Sequence, residues 1–320
     1  MSSAASKVMV TGAAGFIGRA LCADFAARGI DYVGAVRSIA GDVVDPSLRP
    51  LGDFAAADWE RVLDGVDCIV HLAGRAHVMG RDHDPTPHIV ANVHVTRRLL
   101  VAARQARVRR FIFASTVKVY GESTRAGRPF RAGDPPRPRD AYARSKAEAE
   151  KILWDACRDG ALEGVVLRVP LVYGPRVKGN FALLIEAVAS QRRLPFAGVA
   201  NRRSLLYVGN AVSAIDAARS ASALTGQTLP LADPQAVSTP ELIRKIASAL
   251  DVEARLSRMP TSILRAGAAL MGRRGASSRL LGSLEVDASR FAELARWAPA
   301  YDVDQGIAAT VAWWRTRHVL

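Results

Sequence analysis

Short apolar runs rich in β-branched residues alternate with longer stretches of helical period through the first half of the chain. The runs predict strands over residues 7–10, 32–36, 68–72, 110–114 and 165–169. Between them, apolar positions three and four apart predict helices over 16–28, 58–63, 89–105 and 140–157. Strands this short and apolar are buried on both faces, so the pattern predicts an α/β fold with a doubly wound parallel sheet. Residues 121–139, rich in Pro, Gly and Arg, make a long loop, and long loops in compact domains tend to be functional. Beyond Pro170 the rhythm loosens. Helices are expected over 180–189, 210–221 and 238–250, with a short strand over 204–208. Ser238 and Glu241, three apart, form a capping box for the last of these helices. This half reads as a smaller α+β lobe interleaved with the last strands of the sheet.

The first strand runs straight into Thr11-Gly12-Ala13-Ala14-Gly15-Phe16-Ile17-Gly18. Gly12 permits a tight turn, Gly15 lets backbone N–H groups approach a pyrophosphate, and Gly18 lets helix and strand pack closely. The new helix turns its positive end toward the phosphates. The β-branched strand before the triplet, and the pattern Phe16, Ile17, Ala20, Leu21, Phe25 after it, supply the context of a dinucleotide site. The sheet is therefore expected to be of the Rossmann type.

Composition narrows the partners. A chain of 320 residues holds one large α/β domain and a smaller lobe. Residues 1–7 are a short polar lead-in rather than a signal peptide, and the weakly polar stretch 263–272 is too short to span a bilayer. Cys22, Cys68 and Cys157 lack metal-ligand spacing and read as small buried hydrophobes in a reducing compartment. His71 ends a strand and His83 and His88 lie near a loop, so no zinc site is expected. The net charge is +14, but the arginines are scattered and aromatics make up only 6%. That is too little material for base-stacking platforms, so nucleic acid is not an expected partner. The charge reads as an arginine-rich solvated surface, a minor share of which serves phosphate groups.

The candidate chemistry lies in Asp140-Ala141-Tyr142-Ala143-Arg144-Ser145-Lys146. Tyr142 and Lys146 are four apart on a helix and share one face. A phenol titrates near pH 10, too high for acid–base work at neutral pH, and a nearby ammonium is expected to lower that value. The lysine also suits the ribose hydroxyls of a cofactor. The strand ending in Ala114-Ser115-Thr116 brings a hydroxyl to the carboxyl edge of the sheet, where open α/β sheets bind ligands. There Thr116 is placed to bond a substrate oxygen while Tyr142 moves a proton.

With these residues in place, the chain resembles the extended short-chain dehydrogenase/reductases, the nucleotide-sugar epimerase/dehydratase family. The resemblance covers nearly the whole chain. It rests on the glycine triplet, His71-Leu72-Ala73-Gly74, Asn92, Ser115-Thr116 with Val119-Tyr120-Gly121, and Tyr142-x-x-x-Lys146. It continues through Leu167-Arg168-Val169-Pro170, Val172-Tyr173-Gly174-Pro175, Asn180, Arg203 and the region 298–314. Residues 115–119, 179–181 and 201–205 look like the O-antigen sugar enzymes that resemble UDP-glucose 4-epimerase, a group including UDP-4-keto-6-deoxy-N-acetylhexosamine reductases.

The resemblance implies Gly12, Gly15 and Gly18 against the pyrophosphate of NAD(H) or NADP(H), with Ala14, Phe16, Ile17, Ser115 and Pro170 also on the cofactor. It implies Asp53 and Phe54 near the adenine, Leu72, Ala73 and Gly74 lining the cofactor, and Asn92 behind the catalytic helix. Thr116, Tyr142 and Lys146 would be catalytic. Asn180 and Arg203 would hold uridine diphosphate, with Leu194 and Phe196 beside the uracil and Arg279 as a second diphosphate ligand. Residues 1–169, with returning segments around 204–231, would form the dinucleotide-binding domain, and 170–320 mainly the nucleotide-sugar lobe. A cytoplasmic homodimer is implied, paired through the helices over 89–105 and 140–157 with Val93, Leu100, Ala103, Ile152 and Leu153 supplying apolar contacts.

Three departures sharpen this picture. Epimerases of the family usually carry an Asp at the end of the second strand; Arg37 stands here and leans toward NADP(H), because it attracts a 2′-phosphate. Dehydratases carry Asp-Glu after the Thr; Val117-Lys118 stands here and disfavours water elimination. Lys118 is expected to project into the sugar pocket, with a structural salt bridge as the competing reading. Leu171 replaces an Asn that touches the nucleotide in many relatives. The leading expectation is reduction of a UDP-4-keto-6-deoxy-N-acetylhexosamine at C4 for surface polysaccharide; the alternative is a UDP-sugar 4-epimerase with tightly held NAD.

Overall fold

The computed structural model describes residues 6–39, 45–76, 84–270 and 280–318. Arg279 and His83 lie outside the described residues. The chain builds a seven-stranded, wholly parallel sheet in the order β3-β2-β1-β4-β5-β6-β9. Its strands are β1 (Lys7–Thr11), β2 (Tyr32–Val36), β3 (Leu48–Pro50), β4 (Val66–His71), β5 (Arg110–Thr116), β6 (Glu163–Val169) and β9 (Gln227–Pro230). A parallel pair, β7 (Leu171–Tyr173) with β8 (Leu205–Tyr207), lies beside it. The expected Rossmann-type sheet is thus present.

The helices are α1 (Phe16–Ala27), α2 (Thr86–Ile89), α3 (Val95–Gln105), α4 (Ala141–Ala156), α5 (Asn180–Ala189), α6 (Val208–Ser220), α7 (Thr239–Ala249), α8 (Thr261–Leu270), α9 (Ser289–Ala295) and α10 (Val303–Arg315). On one face of the sheet Leu21, Cys22 and Phe25 of α1 pack with Ala211, Ala214, Ile215 and Ala218 of α6. On the other, Leu99, Leu100 and Ala103 of α3 pack with Ala149 and Leu153 of α4. A third core gathers β7, β8, α5, α7 and α10 around Tyr173, Phe181, Ile246 and Trp314. Among the described residues no helix is long and apolar enough to cross a membrane.

Several elements differ from the pattern reading. The helix expected over 58–63 is a single 3₁₀ turn, Glu60–Val62, because Trp59 and Leu63 turn into the core and Gly65 takes φ +69°. The edge strands β3 and β9 were invisible in the pattern; each is short and contains a proline, which only an edge tolerates. The continuous helix expected over 89–105 is instead α2 and α3 joined by a π turn at Val90–His94. The capping box of Ser238 and Glu241 forms as expected.

The residues expected to face a second copy point inward instead. Val93, Leu100, Ala103 and Leu153 are buried within the chain itself, and Ile152 packs against the α3–α4 core. The period that marked them as an apolar face is the period of the sheet-facing side of α3 and α4.

Gly18 is the tightest point of the β1–α1 turn. A Cβ there would lie 2.2 Å from the Gly12 carbonyl oxygen and 2.9 Å from Ala13 Cα, both backbone. Gly18→Ala is expected to destabilise the protein by about 1–3 kcal/mol through overpacking. Thermal denaturation checks this; an unchanged midpoint would show that the turn relaxes freely.

Candidate active site

The β1–α1 turn is a cradle without side chains. Gly12 takes φ +70°, and a Cβ on it would lie 2.8 Å from the Ala73 backbone nitrogen, so this turn and the end of β4 touch. The N-cap of α1 is Gly15, which contributes no side-chain cap, and the first turn holds no acidic residue. The leading N–H groups and the positive helix end therefore face outward without an internal counter-charge, a fit to a pyrophosphate. Ala14 and Gly15 are exposed, Phe16 and Ile17 half-buried. Arg37 is exposed at the carboxyl end of β2 and makes no ion pair among the described residues. Asp53 accepts a bond from the Ala55 N–H at 3.0 Å, and Phe54 is buried edge-on against Trp59.

Behind the cradle runs a buried polar chain. Thr96 Oγ1 donates to the Asn92 carbonyl at 2.7 Å, so it accepts from His71 Nε2–H at 2.9 Å. His71 Nδ1 then accepts from Thr11 Oγ1 at 2.6 Å, which itself accepts from the Ala73 N–H at 3.2 Å. One neutral tautomer satisfies every partner. Burial, with the Lys146 charge adding to it, pushes the imidazole down to about 3.

The Asn92 side chain carries the chain forward. Its Oδ1 accepts from the Arg75 N–H at 2.8 Å, and its Nδ2 donates to the Arg75 carbonyl at 3.2 Å and to Ser145 Oγ at 2.9 Å. Ser145 Oγ in turn donates to the Tyr142 carbonyl at 2.8 Å. A Cβ on Gly74 would lie 2.8 Å from Asn92 Oδ1 and 3.8 Å from Lys146 Nζ. The structure thus brings Gly74, Asn92 and Lys146 together behind α4, with Leu72 half-buried and Ala73 buried beside them.

Lys146 is only 4% exposed, and its ammonium makes no hydrogen bond or ion pair among the described residues. It lies 4.0 Å from the centroid of the Phe113 ring. Burial brings its pKa down to about 7, against the pull of Glu150. An ammonium at the end of a buried side chain, with no acceptor among the described residues, fits the hydroxyls of a bound ribose.

Tyr142 corrects an expectation. Its phenol is pushed up to about 12, by burial first and by the Asp140 charge second; a hydrogen bond with Thr116 opposes both. Lys146 does not depress it, because the ammonium is turned to Phe113 and Gly74. Thr116 is near enough to the phenol for its hydroxyl to act on it. Tyr142 also packs against His88, ring centroids 5.9 Å apart. That histidine, bonded through Nδ1 to the Arg75 carbonyl at 3.0 Å, was missed as a neighbour of the phenol because the π turn sets its rotation.

Lys118 is a second correction. Its ammonium is engaged by Asp140, the residue whose carboxylate caps α4 at Ala143 N–H, with Glu122 at 3.8 Å. The competing salt bridge is the one that forms. Val117 is buried against Tyr120, Leu284 and Val286. Ser115 spans to α4 instead of offering its hydroxyl to the cofactor: Oγ donates to Glu150, which also takes two bonds from Arg168. Glu150 went unnoticed in the sequence, although it stands four residues past Lys146 and Arg168 interrupts an apolar strand.

The remaining residues lie beyond β6. Pro170 is buried between β6 and β7. Asn180 is exposed as the first residue of α5, whose N-cap is Gly179. Leu194 and Phe196 are half-buried on the third core, the backbone at Leu194 bonded to Arg255 and Ser257. Arg203 is half-buried and donates to the Gly282 carbonyl at 3.0 Å. The long loop over 121–139 is strapped to residues 283–287 through Thr124 and Phe130.

The model of the NAD dependent epimerase/dehydratase family matches residues 8–229. Over 311 residues, 95% of this chain and 94% of the relative, the chain is 36% identical to the UDP-glucose 4-epimerase of Vibrio cholerae. It is 29% identical over 325 residues to the dTDP-glucose 4,6-dehydratase of Streptomyces griseus, covering 97% and 94%. Among solved structures, the UDP-glucuronic acid 4-epimerase of Bacillus cereus in complex with NAD matches with a TM-score of 0.79 at 22% identity, over 97% of this chain and 99% of that one. The chain belongs to the NAD-dependent epimerase/dehydratase family and is an NAD(P)-dependent enzyme.

The buried His71 sets an acid limit. Its folded pKa of about 3 lies below the unfolded value of about 6.5. Its contribution to stability is therefore full above pH ~6.5 and is lost as pH falls toward ~3, by up to about 1.4 kcal/mol per pH unit. In urea titrations the wild type is expected to lose stability faster than His71→Gln across that window. Parallel acid limbs would refute the buried neutral imidazole.

Proposed function

We propose that the chain reversibly oxidises C4 of a UDP-linked sugar and acts as a 4-epimerase. The observation that supports this most is the meeting of Thr116 and Tyr142 beside a buried, unpartnered Lys146, in a chain 36% identical over most of its length to a UDP-glucose 4-epimerase. When bound, the nicotinamide supplies the hydride acceptor and donor. Lys146 holds the ribose hydroxyls. Thr116 orients the C4 oxygen. Tyr142 first gives its own proton to solvent; as the phenolate it takes the C4 hydroxyl proton during oxidation, and as the phenol it returns that proton during reduction. A phenol near 12 is protonated at neutral pH, the form that donates to a developing alkoxide. The Thr116 bond, which favours the phenolate, acts in the sense the reverse step needs. Asn180 and Arg203 hold the diphosphate, and Leu194 and Phe196 flank the uracil.

The residues after Thr116 argue against dehydration. Val117 is packed in the core and Lys118 is held by Asp140, so neither position offers a carboxylate.

Arg37 favours a second reading, a reductase of UDP-4-keto-6-deoxy-N-acetylhexosamines that exchanges NADPH. Its exposed guanidinium suits a 2′-phosphate. Freshly purified protein, given UDP-glucose or UDP-N-acetylglucosamine without added cofactor, is expected to yield the C4 epimer by NMR. Turnover only of the 4-keto sugar, and only with added NADPH, would establish the reductase instead. Inertness toward both would sink the C4 reading.

Tyr142→Phe is expected to lower kcat by about 10²–10⁴-fold while leaving cofactor affinity and the circular dichroism spectrum intact. Near-normal turnover would remove Tyr142 from the chemistry. Arg37→Asp is expected to shift binding from NADPH toward NADH, measured by fluorescence titration; unchanged affinities for both would mark Arg37 as a surface charge.

A further inference from the structure

We propose that Glu150 is a positioning residue that supports the Lys146 ammonium from one helical turn behind it, beneath the cofactor's ribose, and that Ser115 and Arg168 fix the Glu150 side chain in the place this requires. The inference rests on the dinucleotide site and adds an electrostatic support behind it.

Glu150 is 4% exposed on α4, one turn past Lys146. A carboxyl buried that deeply goes neutral unless it is paired. Here it is paired from two strands. Arg168 of β6 donates from Nε to Oε1 at 3.0 Å and from Nη2 to Oε2 at 2.6 Å. Ser115 of β5 donates to Oε1 as well. The guanidinium is itself held, 4.2 Å from the centroid of the Tyr120 ring. All of these side chains are buried.

Glu150 is the carboxylate one helical turn from Lys146, and Arg168, bonded to both of its oxygens, offsets part of its charge. His71 of β4 stays neutral down to about 3. Phe113 of β5 offers only its π face. Tyr142, one turn earlier on α4, is neutral at neutral pH. Asn92 and Gly74 carry no charge. Glu150 is the carboxylate that opposes the desolvation of Lys146. A lysine poised near neutrality changes its charge readily, so loss of this support empties the site of its cation at working pH.

The ordinary alternative is that Glu150 only neutralises Arg168 and stitches β5, β6 and α4 together. Two variants separate these roles. Glu150→Gln removes the charge but strands a buried guanidinium. The double variant Glu150→Gln with Arg168→Met removes both charges and restores an apolar packing. Lysine is rare in this chain, with six residues, so ¹³C-lysine NMR of the cofactor-free protein resolves Lys146, assigned by its loss in Lys146→Met.

In Glu150→Gln the Lys146 midpoint is expected to fall by about one pH unit or more and NAD(H) affinity at neutral pH by about tenfold; in the double variant, which also removes the Arg168 charge, both are expected to fall in the same direction by less. The lost affinity should return as the pH is lowered. If the single variant does not fold, the double variant decides alone. An unmoved midpoint, or wild-type midpoint and affinity in the double variant, overturns the proposal and leaves Glu150 as a partner for Arg168. A wild-type protein that binds neither NAD(H) nor NADP(H) would defeat the dinucleotide reading itself, while the NMR midpoint would still judge Glu150.

Discussion

The carboxamide of Asn92 is the contact on which the rest of the site depends. It closes on the backbone of Arg75 with both its oxygen and its nitrogen, and reaches Ser145 on α4 with the same nitrogen. Its own carbonyl anchors Thr96, and through it His71 and Thr11. The ends of β1 and β4, the π turn and α4 are thereby held in one register. The π turn is what aims it: a regular helix over 89–105 would rotate Asn92 relative to α3 and carry the amide away from α4.

A polar network this deep stabilises the fold only if every member is satisfied. Along the line from Thr11 to Tyr142 each donor has an acceptor, and the histidine tautomer follows from that accounting. The network therefore specifies geometry more than it contributes stability. The stability comes from the two apolar layers on either face of the sheet, around Phe25 and Ile215 on one side and Leu99 and Leu153 on the other.

Against that satisfied frame the site itself is left unresolved. Lys146 is buried without an acceptor, Tyr142 is held as a neutral phenol, and α1 begins without a counter-charge. The ammonium and the helix start are unsatisfied in the protein alone, and both suit a polyhydroxylated, phosphate-bearing ligand. Such local cost is common where function is built into a fold. The Lys118–Asp140 pair serves the opposite purpose, since it secures the start of α4 and commits the Lys118 cation to a partner within the chain.

The sequence by itself determined the parallel sheet, the glycine turn, the capping box of Ser238 and Glu241, and the placing of Tyr142 and Lys146 one turn apart on a helix. These depend on local period, turn chemistry and short spacing, which one strand or helix carries alone. It determined the existence of α3 and α4 but not which side of them is covered, so Leu100 and Leu153 read as an outer face and proved to be core. Only the tertiary structure decided which charges meet. Lys118 found Asp140, Ser115 and Arg168 found Glu150, and Lys146 turned from the phenol toward Phe113. The partners in the first two cases come from separate elements, and burial sets their protonation. Neither distance across a sheet nor depth from solvent is written in the order of residues along one segment.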